Sequence, residues 1–231
     1  MICDDYYLAP HTRLLRPVIR TVFRWLFRRL GKVSISGLDH IPKDGAYLIA
    51  INHVSLFDPP FVVSFWPRAA EVVGAAEVWQ RRGQGTLLRM YGVIPVHRGE
   101  IDRSLIDSMI SALRSGHPLM IAPEGERSHQ PGLLPAWPGV AYIAEVTGVP
   151  VLPVGVVGAT EDFIELGLRG KHPPIEMRIG PPIDLPPIEG RGAERRAARQ
   201  NNTNIIMSHI AAMLPLNYRG VYTDHVEAIL T

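Results

Sequence analysis

The sequence predicts an α/β fold: a single domain with a largely buried sheet flanked by helices on both faces, preceded by a basic amphipathic N-terminal helix. Three observations carry that prediction. Short apolar runs, such as residues 46–51 and 149–158, alternate along the chain with amphipathic stretches such as 102–115, the rhythm of strands and helices in a covered sheet. The chain has 231 residues, enough for one such domain with an appendage and a full core. Residues 11–30 carry five arginines at helical spacing ahead of the first strand-like run.

Taken in order, the N-terminal stretch HTRLLRPVIRTVFRWLFRRL places Arg13, Arg16, Arg20, Arg24 and Arg28 three and four residues apart. That spacing is one helical stripe. Leu14, Leu15, Val18, Ile19, Val22, Phe23, Trp25, Leu26 and Leu30 occupy the other faces, and Pro17 starts or kinks the helix. A helix basic on one side and aromatic elsewhere suits a membrane interface, where each arginine near an anionic surface contributes about 1 kcal/mol. The alternative is an amphipathic helix packed on its own domain with a solvated arginine face. The membrane reading gives a division into a membrane-surface helix, residues 1–31, and a domain, residues 32–231.

Beyond Lys32, VSISG reads as a strand, LDHIPKDG as a turn, and residues 46–51 as a buried strand. Residues 61–66 form the body of a short helix and 71–76 a further strand, followed by a helical stretch at 77–91 broken by Gly83 and Gly85. A β segment at 92–99, a helix at 102–115 and a strand from 118 follow, then a helix at 138–148 stopped by Gly148. After the strand at 149–158, IEMRIG reads as the last strand. RGAERRAARQ reads as a charged, solvated segment, and NTNIIMSHIAAML as a helix capped by Asn202 or Thr203.

Composition excludes several classes. A formal net charge of +2 implies no nucleic-acid partner. The single cysteine, Cys3, excludes an internal disulfide framework and a cysteine-based zinc site, and fits a reducing compartment. No stretch approaches 18 uncharged apolar residues, and arginines interrupt every candidate signal-peptide core. No clustering of carboxylates and histidines calls for a metal.

Three polar clusters end otherwise apolar segments: Asn52-His53-x-Ser55-x-x-Asp58, then His97-Arg98, then Pro123-Glu124-Gly125-Glu126-Arg127-Ser128. Ligands of open α/β sheets sit at strand ends. A histidine with a free-solution pKa near neutrality can take a proton there, and a carboxylate folded back onto it can hold its tautomer. The bland reading of Asp58-Pro59-Pro60 is a helix N-cap with prolines in the first turn. Arginines leaving buried strands are placed to hold a phosphate or carboxylate bidentately. Gly125 lets backbone approach a ligand.

In this order, NHVSLFD, GVIPVHRG, PEGERS and VPVLPVGV resemble the motifs of the glycerolipid acyltransferase family, whose best-known members are the lysophosphatidate acyltransferases. The likeness runs from about Gly37 to Gly158, with a weaker echo in LPLNYRGVY. It implies a mixed sheet of the glycerophosphate acyltransferase type. His53 would then be the general base on an acceptor hydroxyl, with Asp58 orienting it, and attack on the thioester of acyl-CoA or acyl carrier protein would be direct. No further cofactor is implied. Arg98 and Arg127 would hold the acceptor's phosphate, with Glu124, Gly125 and Ser128 shaping the substrate site and Asn52 and Trp137 as further candidates on the acceptor side.

The chain also departs from the family. Lysines that many members carry around Val73–Ala76 and before the glycine at 139 are absent, and Trp137 and Pro138 stand before Gly139. The reading is therefore a peripheral or monotopic acyltransferase of phospholipid biosynthesis, at the cytoplasmic membrane face, acting on lysophosphatidate. A non-phosphate lipid alcohol, a lysophospholipid or a glycolipid is the alternative acceptor, and a non-catalytic lipid-binding protein is a third reading.

Overall fold

The structure, a computed structural model, describes residues 6–97 and 102–230. Cys3 and Arg98 lie outside the described residues. All the expected strands form: β1 (Lys32–Ser36), β2 (Leu48–Ile51), β3 (Glu71–Ala75), β4 (Ile94–Val96), β5 (Leu119–Ile121), β6 (Val151–Val157) and β7 (Pro174–Ile179). They join in the order β1-β7-β6-β2-β5-β3-β4. Every neighbouring pair is parallel except β6 and β7, so the sheet is mixed. β2 lies at its centre, with Leu48 opposite Leu119 on one side and Val151 on the other.

Residues alternate across a strand, and the two faces of β2 accordingly feed two cores. Ile49 and Ile51 join Phe27, Phe61, Trp66 and Phe163, the layer formed by α1 (Pro10–Leu30), α2 (Asp58–Phe65) and α6 (Phe163–Leu168). Leu48 and Ala50 join Ile110, Ile143, Ile206 and Ile210. These belong to α4 (Arg103–Arg114), α5 (Gly139–Thr147) and α7 (Ala193–Met213). The short helices α3 (Gln84–Tyr91) and α8 (Thr223–Leu230) complete the set among the described residues.

Several elements differ from expectation for identifiable reasons. The stretch at 77–91 splits into a 3-10 turn, Ala76–Gln80, and α3. A side chain at Gly85 would meet the Trp79 carbonyl oxygen at 2.2 Å, so this turn can close only on a glycine. The charged segment RGAERRAARQ is helical from Ala193, because Arg195 and Arg199, four residues apart, both reach Glu145 of α5. Asn202 and Thr203 consequently lie buried in mid-helix and cap nothing.

The largest difference concerns α1. The middle of its arginine stripe, Arg16, Arg20 and Arg24, points into the protein, while Arg13 and Arg28 at the ends stay exposed. Arg16 is buried and forks onto Glu71 at the start of β3 through two short charge-assisted bonds of 2.6 and 2.5 Å, while its Nε donates to the Tyr91 carbonyl at 2.7 Å. Arg20 donates to the carbonyls of Val63, at 2.8 Å, and Trp66. Arg24 donates twice to Ser64, at 3.0 and 2.6 Å. These are the orphan carbonyls at the C-terminal end of α2, the negative end of its dipole. Leu14, Val18, Val22 and Trp25 are left exposed instead. A basic face running the whole helix, whether toward a membrane or toward solvent, is thus corrected: the three central arginines are used inside, and the outer face carries an apolar stripe with arginines at its ends.

Candidate active site

The carboxyl end of β2 builds the site. Asn52, next after the strand, is buried and locked to β6: its amide donates to the Val156 carbonyl at 2.9 Å and accepts from the Val156 N–H at 2.7 Å. Both polar ends are used, so Asn52 is a clamp between strands and not a residue facing the acceptor. It fixes where the chain leaves the sheet, and His53 follows.

The turn after His53 folds Asp58 back onto it. His53 Nδ1 lies 3.1 Å from Asp58 Oδ2, and the same oxygen accepts the Ser55 N–H at 2.7 Å. Asp58 is fully buried, whereas His53 keeps part of its ring open. Pro59 and Pro60 fill the first turn of α2, where no N–H is missed. Burial pushes the Asp58 carboxyl above its ordinary range, while His53 and the Ser55 N–H pull it back. A carboxylate accepting at Nδ1 fixes the proton there and leaves Nε2 as the acceptor. Ser55 is buried with its Oγ accepting from the Phe57 N–H at 3.0 Å, which withdraws it as a nucleophile.

The third polar cluster lies alongside because β5 is parallel to β2 and ends at the same edge of the sheet. Ser128 N–H donates to the His53 carbonyl at 2.9 Å, and His129 N–H to that of Val54 at 3.1 Å. Glu124 is buried and accepts the His53 N–H at 2.8 Å with one oxygen and the Leu134 N–H at 2.7 Å with the other. It braces the backbone of His53 from behind. Burial pushes this carboxyl up to about 7, against the pull of its two N–H donors.

Gly125 takes φ 74° and has the Trp137 indole against it: a Cβ there would sit 3.1 Å from that ring. Trp137 itself is 70% exposed, an open aromatic surface at the mouth of the site. Arg127 lies 3.7 Å from Glu161, and the Ser128 hydroxyl donates to the Gln130 carbonyl at 2.6 Å. An apolar cavity of about 170 Å³ adjoins His53 and Gly125, walled by Ile51, Val73, Leu105 and Met109.

The structure therefore brings His53, Asp58, Glu124, Gly125 and Trp137 together, with Arg127 and Ser128 beside them. Arg98 falls outside the described residues. Among the described residues, no group of three or more His, Cys, Asp or Glu side chains is placed to hold a metal ion. Sequence reasoning missed the bracing from the C-terminal segment. Ala136 N–H donates to Tyr222 Oη and Gly158 N–H to Tyr218 Oη, each at 3.1 Å, while Leu133 exchanges backbone bonds with Tyr218 and Val221. The loop carrying Leu134 and Trp137 is thereby tied down. The signal was the run LPLNYRGVY, whose two tyrosines lack the period of a strand or helix.

The site is thus a histidine–carboxylate pair at the carboxyl edge of a covered α/β sheet, an arrangement chemically able to take a proton from a hydroxyl. Residues 32–157 match the Acyltransferase family model, and the chain belongs to that family. Among curated relatives, the 1-acyl-sn-glycerol-3-phosphate acyltransferase of Bacillus subtilis is 26% identical over 154 residues, 66% of this chain and 74% of that protein. A chloroplastic one from Brassica napus is 28% identical over 158 residues, 66% of this chain and 45% of that protein. The alpha enzyme of Homo sapiens is 23% identical over 162 residues, 69% of this chain and 56% of its own length. The chain thus spans about half the length of several of the relatives it matches. The crystal structure of the 1-acyl-sn-glycerophosphate acyltransferase PlsC from Thermotoga maritima shares the fold, with TM-score 0.60 and 22% identity over 87% of this chain and 79% of that one.

Proposed function

We propose that this chain transfers a fatty acyl group from acyl-CoA or acyl carrier protein to the free hydroxyl of lysophosphatidate. The observation that carries the reading is the His53–Asp58 pair, with its open Nε2 beside an apolar cavity at the sheet edge. The names of its relatives support the acceptor. His53 Nε2 takes the hydroxyl proton as the oxygen attacks the thioester carbonyl. Asp58 stabilises the imidazolium so formed, and the proton then passes to the departing thiolate. Arg127 and Arg98 hold the phosphate, and Arg127 must exchange its Glu161 partner for it.

The chain does this lying on the cytoplasmic face of a membrane. No helix among the described residues is long and apolar enough to span one. The exposed stripe Leu14, Val18, Val22 and Trp25 supplies the contact, through apolar burial more than through the arginines first considered for it. A second acceptor reading, an uncharged lipid alcohol or a glycolipid, is favoured by one observation: the exposed Trp137 indole stands over Gly125 in a motif region without lysine.

The test is turnover of palmitoyl-CoA by the purified chain with lysophosphatidate or monoacylglycerol as acceptor. Phosphatidate formed with at least a tenfold preference in kcat/KM, equivalent to about 1.4 kcal/mol of discrimination, supports the phosphate acceptor. A ratio near one turns the assignment to the uncharged acceptor.

A further inference from the structure

The reaction read above brings two long aliphatic chains to one histidine, and the fold offers two apolar cavities beside the turn that carries it. The smaller, already described, touches His53, Pro59 and Gly125. The larger, about 520 Å³, begins at Phe57, the residue just before Asp58, and runs between α1 and α6. Phe27, Leu30 and Phe163 form its floor, and Trp25, Ile164 and Leu168 its exposed lip. Gly167 packs on Leu30 along its wall, leaving 2.7 Å for any side chain.

We infer that this groove holds the aliphatic tail of the lysolipid acceptor, an inference that rests on the acyl-transfer reading. Three features argue for that occupant. First, an apolar groove and a cation come together, as do the tail and the phosphate of such a molecule. Arg127 pairs with Glu161, two residues before Phe163, which opens α6 and lines the groove, so the segment that walls the groove also holds the guanidinium assigned to the phosphate. Second, the lip at Trp25 continues the exposed apolar stripe of α1, so a tail can pass from a bilayer into the groove without crossing water. Third, Arg29 and His172 line the groove and Lys171 is exposed next to them, which complements lipid phosphates around its mouth. The smaller cavity is left for the donor's acyl chain.

The experiment uses the full chain in phosphatidylcholine vesicles with a lysophosphatidate whose tail carries a terminal diazirine. Irradiation followed by peptide mass spectrometry reports where the tail lies, and the readout does not require turnover. The inference expects adducts on residues 23–30 and 163–168, undiminished by saturating palmitoyl-CoA. It also expects Ile164→Trp, which fills the groove, to reduce labelling and to raise KM for the long-chain acceptor by about tenfold, with a change under about twofold for the donor. Adducts at Leu105 or Met109, or competition by palmitoyl-CoA, would give the groove to the donor and overturn the inference. Adducts confined to Leu14, Val18 and Val22 would leave the tail in the bilayer and overturn it as well. Failure of the underlying reading shows separately, as absence of phosphatidate from the wild-type chain with unmodified lysophosphatidate.

Discussion

The two ends of α2 are held by opposite chemistries. At its start, Asp58 collects an imidazole and a backbone N–H, where the positive end of the helix dipole favours a negative charge. At its finish, Arg20 and Arg24 of α1 collect the carbonyls that the helix leaves unpaired. The first end uses one ring nitrogen of His53 and, among the described residues, leaves the other open, as the proposed chemistry requires. The second uses its donors on the protein itself. A charged residue at a helix end is thus a candidate for chemistry only when part of its hydrogen-bonding capacity stays open.

The sharpest way to break this contrast is His53→Ala. Loss of a general base should lower kcat by about 10²–10⁴-fold. Circular dichroism should stay that of a folded protein and the melting transition should fall only modestly, because the ring is partly open and Asp58 keeps the Ser55 N–H. A folded variant with unchanged kcat would remove His53 from the mechanism.

Next in size is the anchor of α1. Arg16→Ala leaves Glu71 buried without its fork and should cost about 3–5 kcal/mol in urea unfolding. Replacing both partners, Arg16→Met with Glu71→Met, should recover most of the loss if the cost comes from an uncompensated charge. A single variant as stable as wild type would mean that α1 is not fastened there.

Glu124 sharpens the comparison through pH. Its carboxyl is pushed from the ordinary range up to about 7 by burial, so folding favours the protonated form. The resulting stabilisation is complete below the unfolded pKa near 4.5 and is lost as pH rises through about 7. The loss should be on the order of 3 kcal/mol between pH 5 and pH 8, beyond what other groups contribute. Glu124→Gln, which gives up one of the two hydrogen bonds, should remove that slope. Parallel stability–pH curves for the two proteins would contradict this.

Much of this architecture can be read from the chain because its signals are local. The central strands β2 and β6 were legible as continuous apolar runs, since a strand buried on both faces must be apolar throughout, and the edge-side β1 and β7 as alternating ones. The pairing of His53 with Asp58 was open to reading because a five-residue turn allows little else once two prolines start the helix. The direction of α1 was not. Helical spacing shows that the arginines share a face, but not whether it meets carbonyls, a buried Glu71 or a lipid surface. That depended on α2 ending beneath α1, a long-range fact with no local trace. What Asn52 and Glu124 hold was hidden for a related reason: each sits in a polar motif, and its partners, Val156 for one and His53 and Leu134 for the other, are set by strand packing.

The smallest of these effects is expected from Arg24→Ala, roughly 1–2 kcal/mol of stability from lost bonds to Ser64. It also supplies the control for the central claim, that the start of α2 performs the chemistry and its finish only holds the helix. The direct measurement is the single-turnover rate constant of acyl transfer to lysophosphatidate for Asp58→Asn and Arg24→Ala, each corrected for the fraction folded. The account predicts a loss of at least about 10²-fold for Asp58→Asn, through the lost tautomer and imidazolium partner, and less than about threefold for Arg24→Ala. Equal losses in the two variants would contradict it.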